Sequence, residues 1–206
     1  AYASGNSLLS ADDDIVIKAK DASSVDARVL APAVAVAASG SGSGKSVSVG
    51  VGVARSALKG GVTAYIDGDG SDTDIRLRGS SNSDLIVEAK RNANITTLTA
   101  AAGVAVSLSG SGSSVAVGGG GALALNELKG AAQAYVDEAT ISSDGSTGTA
   151  NGDVTVEVLD LSDIDAKVVA AGVSVALSGG DRATAVALGF SLAYNVIGWG
   201  MNPGNP

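Results

Sequence analysis

Residues 84–110 read DLIVEAKRNANITTLTAAAGVAVSLSG, and two other stretches of the chain follow the same pattern. DIVIKAKDASSVDARVLAPAVAVAASG begins at Asp14, and DVTVEVLDLSDIDAKVVAAGVSVALSG begins at Asp153. The three stretches align without a gap, 70 and then 69 residues apart. Self-similarity at a fixed period indicates an array in which each copy buries a face against the next one.

The same register continues beyond these stretches. AYID at 64–67 aligns with AYVD at 134–137, and Asn126 aligns with Asn195. The sequence therefore predicts one continuous β-repeat array over residues 1–206. Its parts are the end of a preceding repeat at 1–13, repeat 1 at 14–83, repeat 2 at 84–152 and an incomplete repeat 3 at 153–206.

Side chains alternate with period two along each repeat, which is typical of β-strands. In the first segment Ile15, Ile17 and Ala19 alternate with Val16, Lys18 and Lys20. That alternation predicts a strand with one buried face and one partly wet face. We expect an all-β fold, a solenoid-like array of stacked strands with about 70 residues per repeat. A parallel β-helix and stacked hairpins are both open, and we favour the solenoid.

The next two segments of each repeat are apolar on both faces, but the faces differ in bulk. Val173, Val175 and Leu177 share one face, whereas Gly172 and Ser174 belong to the other. We predict strands that are buried on both sides. The small faces are expected to approach more closely than the roughly 10 Å usual for facing sheets.

Composition excludes several classes of chemistry. The chain contains no Cys and no His, so thiol nucleophiles, disulfides and Cys/His zinc sites are absent. Thirteen Lys and Arg stand against 21 Asp and Glu, for a net charge of −8. This acidic balance argues against nucleic acid as a partner. Ser, Gly or charged residues interrupt every apolar stretch before it could form a membrane helix.

The stretch SGSGSGKS at residues 39–46 superficially resembles a phosphate-binding loop. Ser39 stands where that motif requires glycine, and the residues after Lys45 alternate as in a strand rather than opening a helix. The equivalent stretches, SGSGSSVA and SGGDRATA, keep the small turn residues but not the lysine position. We interpret the stretch as a turn between two strands.

One acidic turn is a candidate metal site. DGDGSDTD at residues 67–74 supplies Asp67, Asp69, Asp72 and Asp74, and oxygen-rich turns can bind calcium. Asp72 stands where a calcium loop needs glycine, and Arg78 replaces the closing glutamate. The alternative is a solvated turn. No other cofactor and no catalytic residue is predicted.

Four motifs carry a resemblance to a known family: the D-[ILV]-x-[IV]-[EK] opening, AAGVAVSLSG, AVALGFSLAYNVIG and AY[IV]D. They resemble repeats of very large secreted bacterial adhesins of the filamentous-haemagglutinin-like type, including the leukotoxin-type filamentous adhesins. The resemblance covers nearly all of residues 1–200. It implies an extended β-rich stalk at the bacterial cell surface or outside the cell, used for attachment or matrix building. It implies no catalytic residues.

These observations lead to a functional expectation. We expect a non-enzymatic structural or adhesive segment of a large extracellular protein. Its expected partners are other copies of itself, neighbouring repeats of a longer chain, or a host or matrix surface, without nucleic acid and without a membrane span. The alternative is a carbohydrate-active or ice-binding β-solenoid. Paired carboxylates could serve glycoside hydrolysis, whereas the outward threonine ladder typical of ice binding is missing.

Overall fold

The alternating pattern forms strands along most of the chain, and the described residues contain no helix. The computed structural model describes residues 1–5, 8–68, 73–78, 83–143, 152–180 and 182–198. The strands are β1 Tyr2–Ser4, β2 Leu8–Ala11, β3 Ile15–Asp21, β4 Ser24–Ser39, β5 Gly44–Lys59, β6 Val62–Asp67, β7 Asp74–Leu77, β8 Leu85–Arg91, β9 Asn94–Ser109, β10 Ser114–Lys129, β11 Ala132–Asp137, β12 Thr140–Ser143, β13 Val154–Asp160, β14 Asp163–Ser178 and β15 Ala183–Ile197.

Strands from successive repeats pair side by side, and each of the five sheets has three parallel strands. The sheets are numbered here as sheet I (β1, β6, β11), sheet II (β2, β7, β12), sheet III (β3, β8, β13), sheet IV (β4, β9, β14) and sheet V (β5, β10, β15). Stacked hairpins would instead pair consecutive strands in antiparallel fashion. The predicted all-β fold is therefore confirmed, and the parallel pairing is that of a β-solenoid.

The register of the stack follows the sequence repeat. Leu85 of β8 lies between Ile15 of β3 and Val154 of β13. Immediately before these residues, the backbone N–H of Asp84 donates to Asp14 Oδ1 at 2.9 Å. The N–H of Asp153 donates to Asp84 Oδ1 at 2.8 Å. The three aspartates thus occupy equivalent positions, as the alignment predicts.

The repeats differ in the length of the segments that precede and follow the strands of sheet II. Six residues join β6 to β7, whereas two residues join β11 to β12. Seven residues join β7 to β8, and ten join β12 to β13. The corner between sheets III and IV is two residues long in all three repeats. The paired strands therefore keep their register while these loops change in length.

The residues cluster into two compact units. The first comprises Ala1–Ser23, Leu58–Asn94 and Leu128–Asp163, which contain sheets I, II and III. Its core is aliphatic, because the inward positions of these strands carry branched residues and alanine. Burying one such branched side chain contributes about 1.5–3 kcal/mol. The core cluster consists of Ile15, Val62, Ala64, Ile66, Ile75, Leu77, Leu85, Val87 and Ala89.

The second unit comprises Ser24–Ala57, Ile95–Glu127 and the chain from Ile164, which contain sheets IV and V. Its inward positions carry mostly Gly, Ala and Ser, and the backbones of the two sheets come into contact. A β-carbon added at Gly50 would lie 2.5 Å from the carbonyl oxygen of Ala102. One added at Gly172 would lie 2.5 Å from the carbonyl oxygen of Leu188. The predicted close approach of the small faces is thereby confirmed.

Candidate functional surface

The turn predicted to bind calcium is described only in part. Asp69 and Asp72 lie outside the described residues. Asp67 ends β6 beside Asp137 of β11. Asp74 begins β7 and forms an ion pair with Arg76 at 3.0 Å. The described part of the chain contains no group of three or more acidic residues that could hold a metal ion. Calcium binding at this turn stays a prediction.

The Gly/Ser stretch forms a turn that leads directly into a strand. Gly44 and Lys45 open β5, and no helix begins there. The N–H of Gly44 donates to the carbonyl oxygen of Ser113 at 3.0 Å, which ties the turn to its counterpart in the next repeat. Lys45 is exposed. The interpretation of this stretch as a turn is therefore confirmed.

A tyrosine column runs across sheet I. Tyr65 lies between Tyr2 and Tyr135, with ring centroids 5.2 Å and 5.0 Å apart and the rings nearly parallel. Burial raises the pKa of Tyr135, and the charges of Tyr65, Asp67 and Asp137 raise it further. The tyrosine that recurs in the repeat thus stabilises the stack by packing one ring on the next.

A column of polar side chains in the second unit links sheets IV and V, and Thr97 and Asn126 at its centre are buried. The Thr97 hydroxyl donates to Asn126 Oδ1 at 2.7 Å, and Asn126 Nδ2 donates to Asn195 Oδ1 at 2.9 Å. The Ser56 hydroxyl lies 3.3 Å from the Thr97 hydroxyl. Since buried amides are costly without partners, this column favours the register in which the two asparagines meet.

A charged cluster covers the outer side of sheet III. Lys18 Nζ lies 3.0 Å from Glu88 Oε2, and Lys90 also forms an ion pair with Glu88. The hydrogen bond from Lys90, followed by the one from Lys18, lowers the pKa of Glu88. Lys18 and Glu88 form a cross-strand ion pair between β3 and β8, whereas the pair of Lys90 with Glu88 lies within β8.

Sequence reasoning missed the buried Arg91. Its side chain is 1% exposed and lies in one register row with Asp21 and Asp160 of the neighbouring strands. Arg91 Nη2 donates to the carbonyl oxygen of Lys129 at 2.8 Å, and Nη1 donates to that of Gly130 at 3.1 Å. Nη1 also lies 3.5 Å from Asp160 Oδ2. The opposite charges in one row of the alignment were the available signal.

Asp21 and Asp160 make the same local hydrogen bonds, each in its own repeat. Each accepts hydrogen bonds from the serine two residues later, which is the second residue of the corner that follows. Burial raises the pKa of Asp160, but the hydrogen bonds from Ser162 and the charge of Arg91 outweigh this effect and lower it. The Asp–Arg–Asp row therefore joins three corners into one polar structure.

The bulky faces of sheets IV and V are exposed, so the prediction that these strands are buried on both sides is wrong. Val34 is 72% exposed on sheet IV, and Val47 is 66% exposed on sheet V. Val173 is 50% exposed. The two sheets cover one another with their small faces and turn the larger aliphatic residues outward.

None of the helices that a membrane span would require occurs in the described part of the chain. Comparison with protein-family models, with curated proteins and with solved structures finds no match.

Proposed function

We propose that this chain is a non-enzymatic structural segment of a large extracellular bacterial surface or filament protein, in which it acts as a stalk or self-associating fibre. The observation that supports the proposal most is the parallel stacking of successive repeats in all five sheets. Each repeat provides new hydrogen bonds to its neighbour and keeps the same side-chain columns. Such an array gains stability and length with every repeat that is added.

The stacking direction makes the proposal quantitative. Neighbouring strands are about 4.8 Å apart, so each repeat of about 70 residues would lengthen the array by about 4.8 Å. A stalk built in this way is short for its mass and dense in hydrogen bonds. The tyrosine and asparagine columns would hold successive repeats in one register, which a load-bearing element requires.

Attachment is the second part of the proposal. The outward aliphatic residues of sheets IV and V supply surface for association with another copy or with a host or matrix surface. The resemblance to secreted filamentous adhesins supports a location at the cell surface or outside the cell. The net charge of −8 is consistent with a partner other than nucleic acid.

The experiment adds repeats and measures length. Residues 84–152 are inserted once, twice and four times between residues 152 and 153, and the purified chains are measured by small-angle X-ray scattering and negative-stain imaging. We expect the dimension along the stacking direction, perpendicular to the strands, to grow by about 4.8 Å per inserted repeat, while the two other dimensions stay constant. Growth in all directions, or loss of folding on insertion, would contradict the stalk.

Attachment is tested with the longest folded chain displayed on a non-adherent bacterium. We expect increased adhesion or cell–cell clustering relative to a display control without the array. The same chain is incubated with bacterial and plant polysaccharides, and reducing ends are quantified. Release of reducing ends without an effect on attachment would favour the carbohydrate-active alternative.

A further inference from the structure

A groove crosses the outer face of sheet V at its middle strand. Gly119 and Gly121 of β10 form its floor, and its volume is about 490 Å³. Val49 and Val51 of β5 line one wall, and Leu188 and Phe190 of β15 line the other. Phe190, the single Phe of the chain, is 68% exposed, and Leu188 is 66% exposed. Phe190 and Leu188 thus stand beside the two glycines of the floor.

The groove has room for side chains. A β-carbon added at Gly121 would meet only Val51 Cγ2, at 3.9 Å, and one added at Gly119 would come no closer than 3.7 Å to Val49. Neither glycine has a positive φ. These two glycines are therefore not required by the backbone or by the packing of the unit itself, unlike the inward glycines of the same strand.

The outward-facing side chains of β10 and β15 are uncharged along most of each strand, whereas those of β5 include charged residues. β5 places the exposed Lys45 near its start and Arg55 near its end. The corresponding row of β15 contains Val186, Leu188, Phe190, Leu192 and Tyr194, and that of β10 contains Val115, Val117, Gly119, Gly121, Leu123 and Leu125. Charged residues are typical of an interface rim and uncharged ones of its centre.

We propose that the outer face of β10 and β15 binds the same face of a second copy of this chain. The two sheets face each other about a twofold axis that runs along the strands, between β10 and β15. In this arrangement β15 of each copy lies over β10 of the other. Because β10 and β15 are related by the 69-residue offset that joins Asn126 to Asn195, Phe190 then lies over Gly121 of the second copy. Leu188 lies over Gly119.

The volumes fit this arrangement. Facing sheets lie about 10 Å apart, a space that two Val or Leu side chains fill together. Val186 over Val117 and Leu192 over Leu123 are pairs of this kind. At Gly119 and Gly121 one partner contributes no side chain, and the other contributes Leu188 or Phe190. A twofold axis creates each contact twice, as isologous interfaces require.

The size of the face fits a reversible dimer. Two strands of this length cover about 480 Å² per copy, or about 960 Å² for the pair. This area lies close to the roughly 1,000 Å² at which specific interfaces begin. Lys45 and Arg55 of β5 remain at the rim, in water.

The outer face of sheet IV provides the control. It carries Asp26 and Arg28 on β4, and Asp165 and Lys167 on β14, all of them exposed. Its groove is smaller, about 300 Å³, and Ala100, Ala101 and Ala102 of the middle strand are among its lining residues. A bulky residue placed at the outward position 102 should therefore leave the dimer unchanged.

The test exchanges Phe190 of β15 with Gly121 of β10, so that the large side chain and the glycine change strands. The parent, Phe190→Gly, Gly121→Phe, the double variant and the control Ala102→Phe are compared by sedimentation equilibrium, with circular dichroism to verify folding. We expect a dimer of twice the 19.8 kDa chain mass for the parent. Each single variant should weaken dimerisation about thirtyfold or more, as loss of a central aromatic contact does. The double variant should recover most of that loss, because every Phe again faces a glycine.

Leu188→Lys is the second variant, since an exposed charge leaves the fold intact but cannot enter the groove at Gly119. A parent that stays monomeric up to its solubility limit would overturn the proposal. So would a dimer that is indifferent to both Phe190→Gly and Leu188→Lys, or a folded double variant that is no better than its singles. This inference deepens the self-association part of the proposed function. A monomeric parent that still lengthens with each inserted repeat would leave the stalk standing and remove only this pairing.

Discussion

Two adjacent glycines of β10 should respond in opposite ways to the same substitution. Gly120 points inward, and a β-carbon added there would lie 2.8 Å from the Ala101 carbonyl oxygen and 2.9 Å from the Ala171 backbone nitrogen. The added atom would also contact the Ala171 carbonyl oxygen. All three groups belong to the backbone of the facing sheet, which can yield only by moving the sheet. Gly121 points outward into the groove.

The magnitudes follow from these surroundings. Gly120→Ala should destabilise the chain by about 1–3 kcal/mol, the usual cost of overpacking a tight core. Gly121→Ala should stabilise it by about 0.4–1 kcal/mol, because alanine restricts the unfolded chain and meets no obstacle in the native one. The two variants then differ by about 2.7 kcal/mol. At roughly 3 °C per kcal/mol for a chain of this length, their melting temperatures differ by about 8 °C.

The measurement is thermal melting by circular dichroism at a dilution where the melting temperature no longer depends on protein concentration. This condition removes any effect of association through the groove. Because the two variants share one strand and one chemical change, strand propensity cancels between them. Equal melting temperatures, or a less stable Gly121→Ala, would refute the contact between the small faces of sheets IV and V.

Two further predictions concern charged groups. Arg91→Met should destabilise the chain by about 3 kcal/mol in urea unfolding. This is the low end for removing one partner of a buried ion pair, because Asp21 and Asp160 keep access to water. The exposed control Lys20→Ala should change stability by less than about 0.5 kcal/mol. The pKa of Glu88 is lowered, so its ion pairs with Lys90 and Lys18 stabilise the fold fully above the ordinary Glu pKa of about 4.3. This stabilisation is lost as the pH falls through the lowered pKa of Glu88. Glu88→Gln should therefore be less stable than the parent at pH 7 and equal to it at low pH, and a constant difference at every pH would contradict the role given to the charge.

The sequence predicts the stacking well because stacking depends on register. Residues 70 or 69 apart, such as Asp84 and its equivalents, had to meet once parallel pairing was assumed. The outward orientation of the bulky valines was not predictable in the same way. A strand that is apolar on both faces does not show which face another sheet will cover, and volume decides it: the Gly, Ala and Ser faces meet because their backbones can touch.

The polar sites also differ in whether the repeat alignment could predict them. The Asn126–Asn195 and tyrosine columns join residues at equivalent positions of successive repeats, so alignment alone places them together. The contacts of Arg91 with Lys129 and Gly130 join positions that are not equivalent. They depend on where the end of β8 lies in space relative to the link between β10 and β11, which no repeat alignment contains.

The unequal loops on either side of sheet II have a consequence for how such a protein can change over time. Insertions and deletions there leave the hydrogen-bonded strands untouched, so lineages can diversify these segments while the scaffold is inherited intact. For the same reason, an engineer who wishes to display an epitope or an enzyme at regular intervals would graft it between β12 and β13, where the chain already accommodates ten residues.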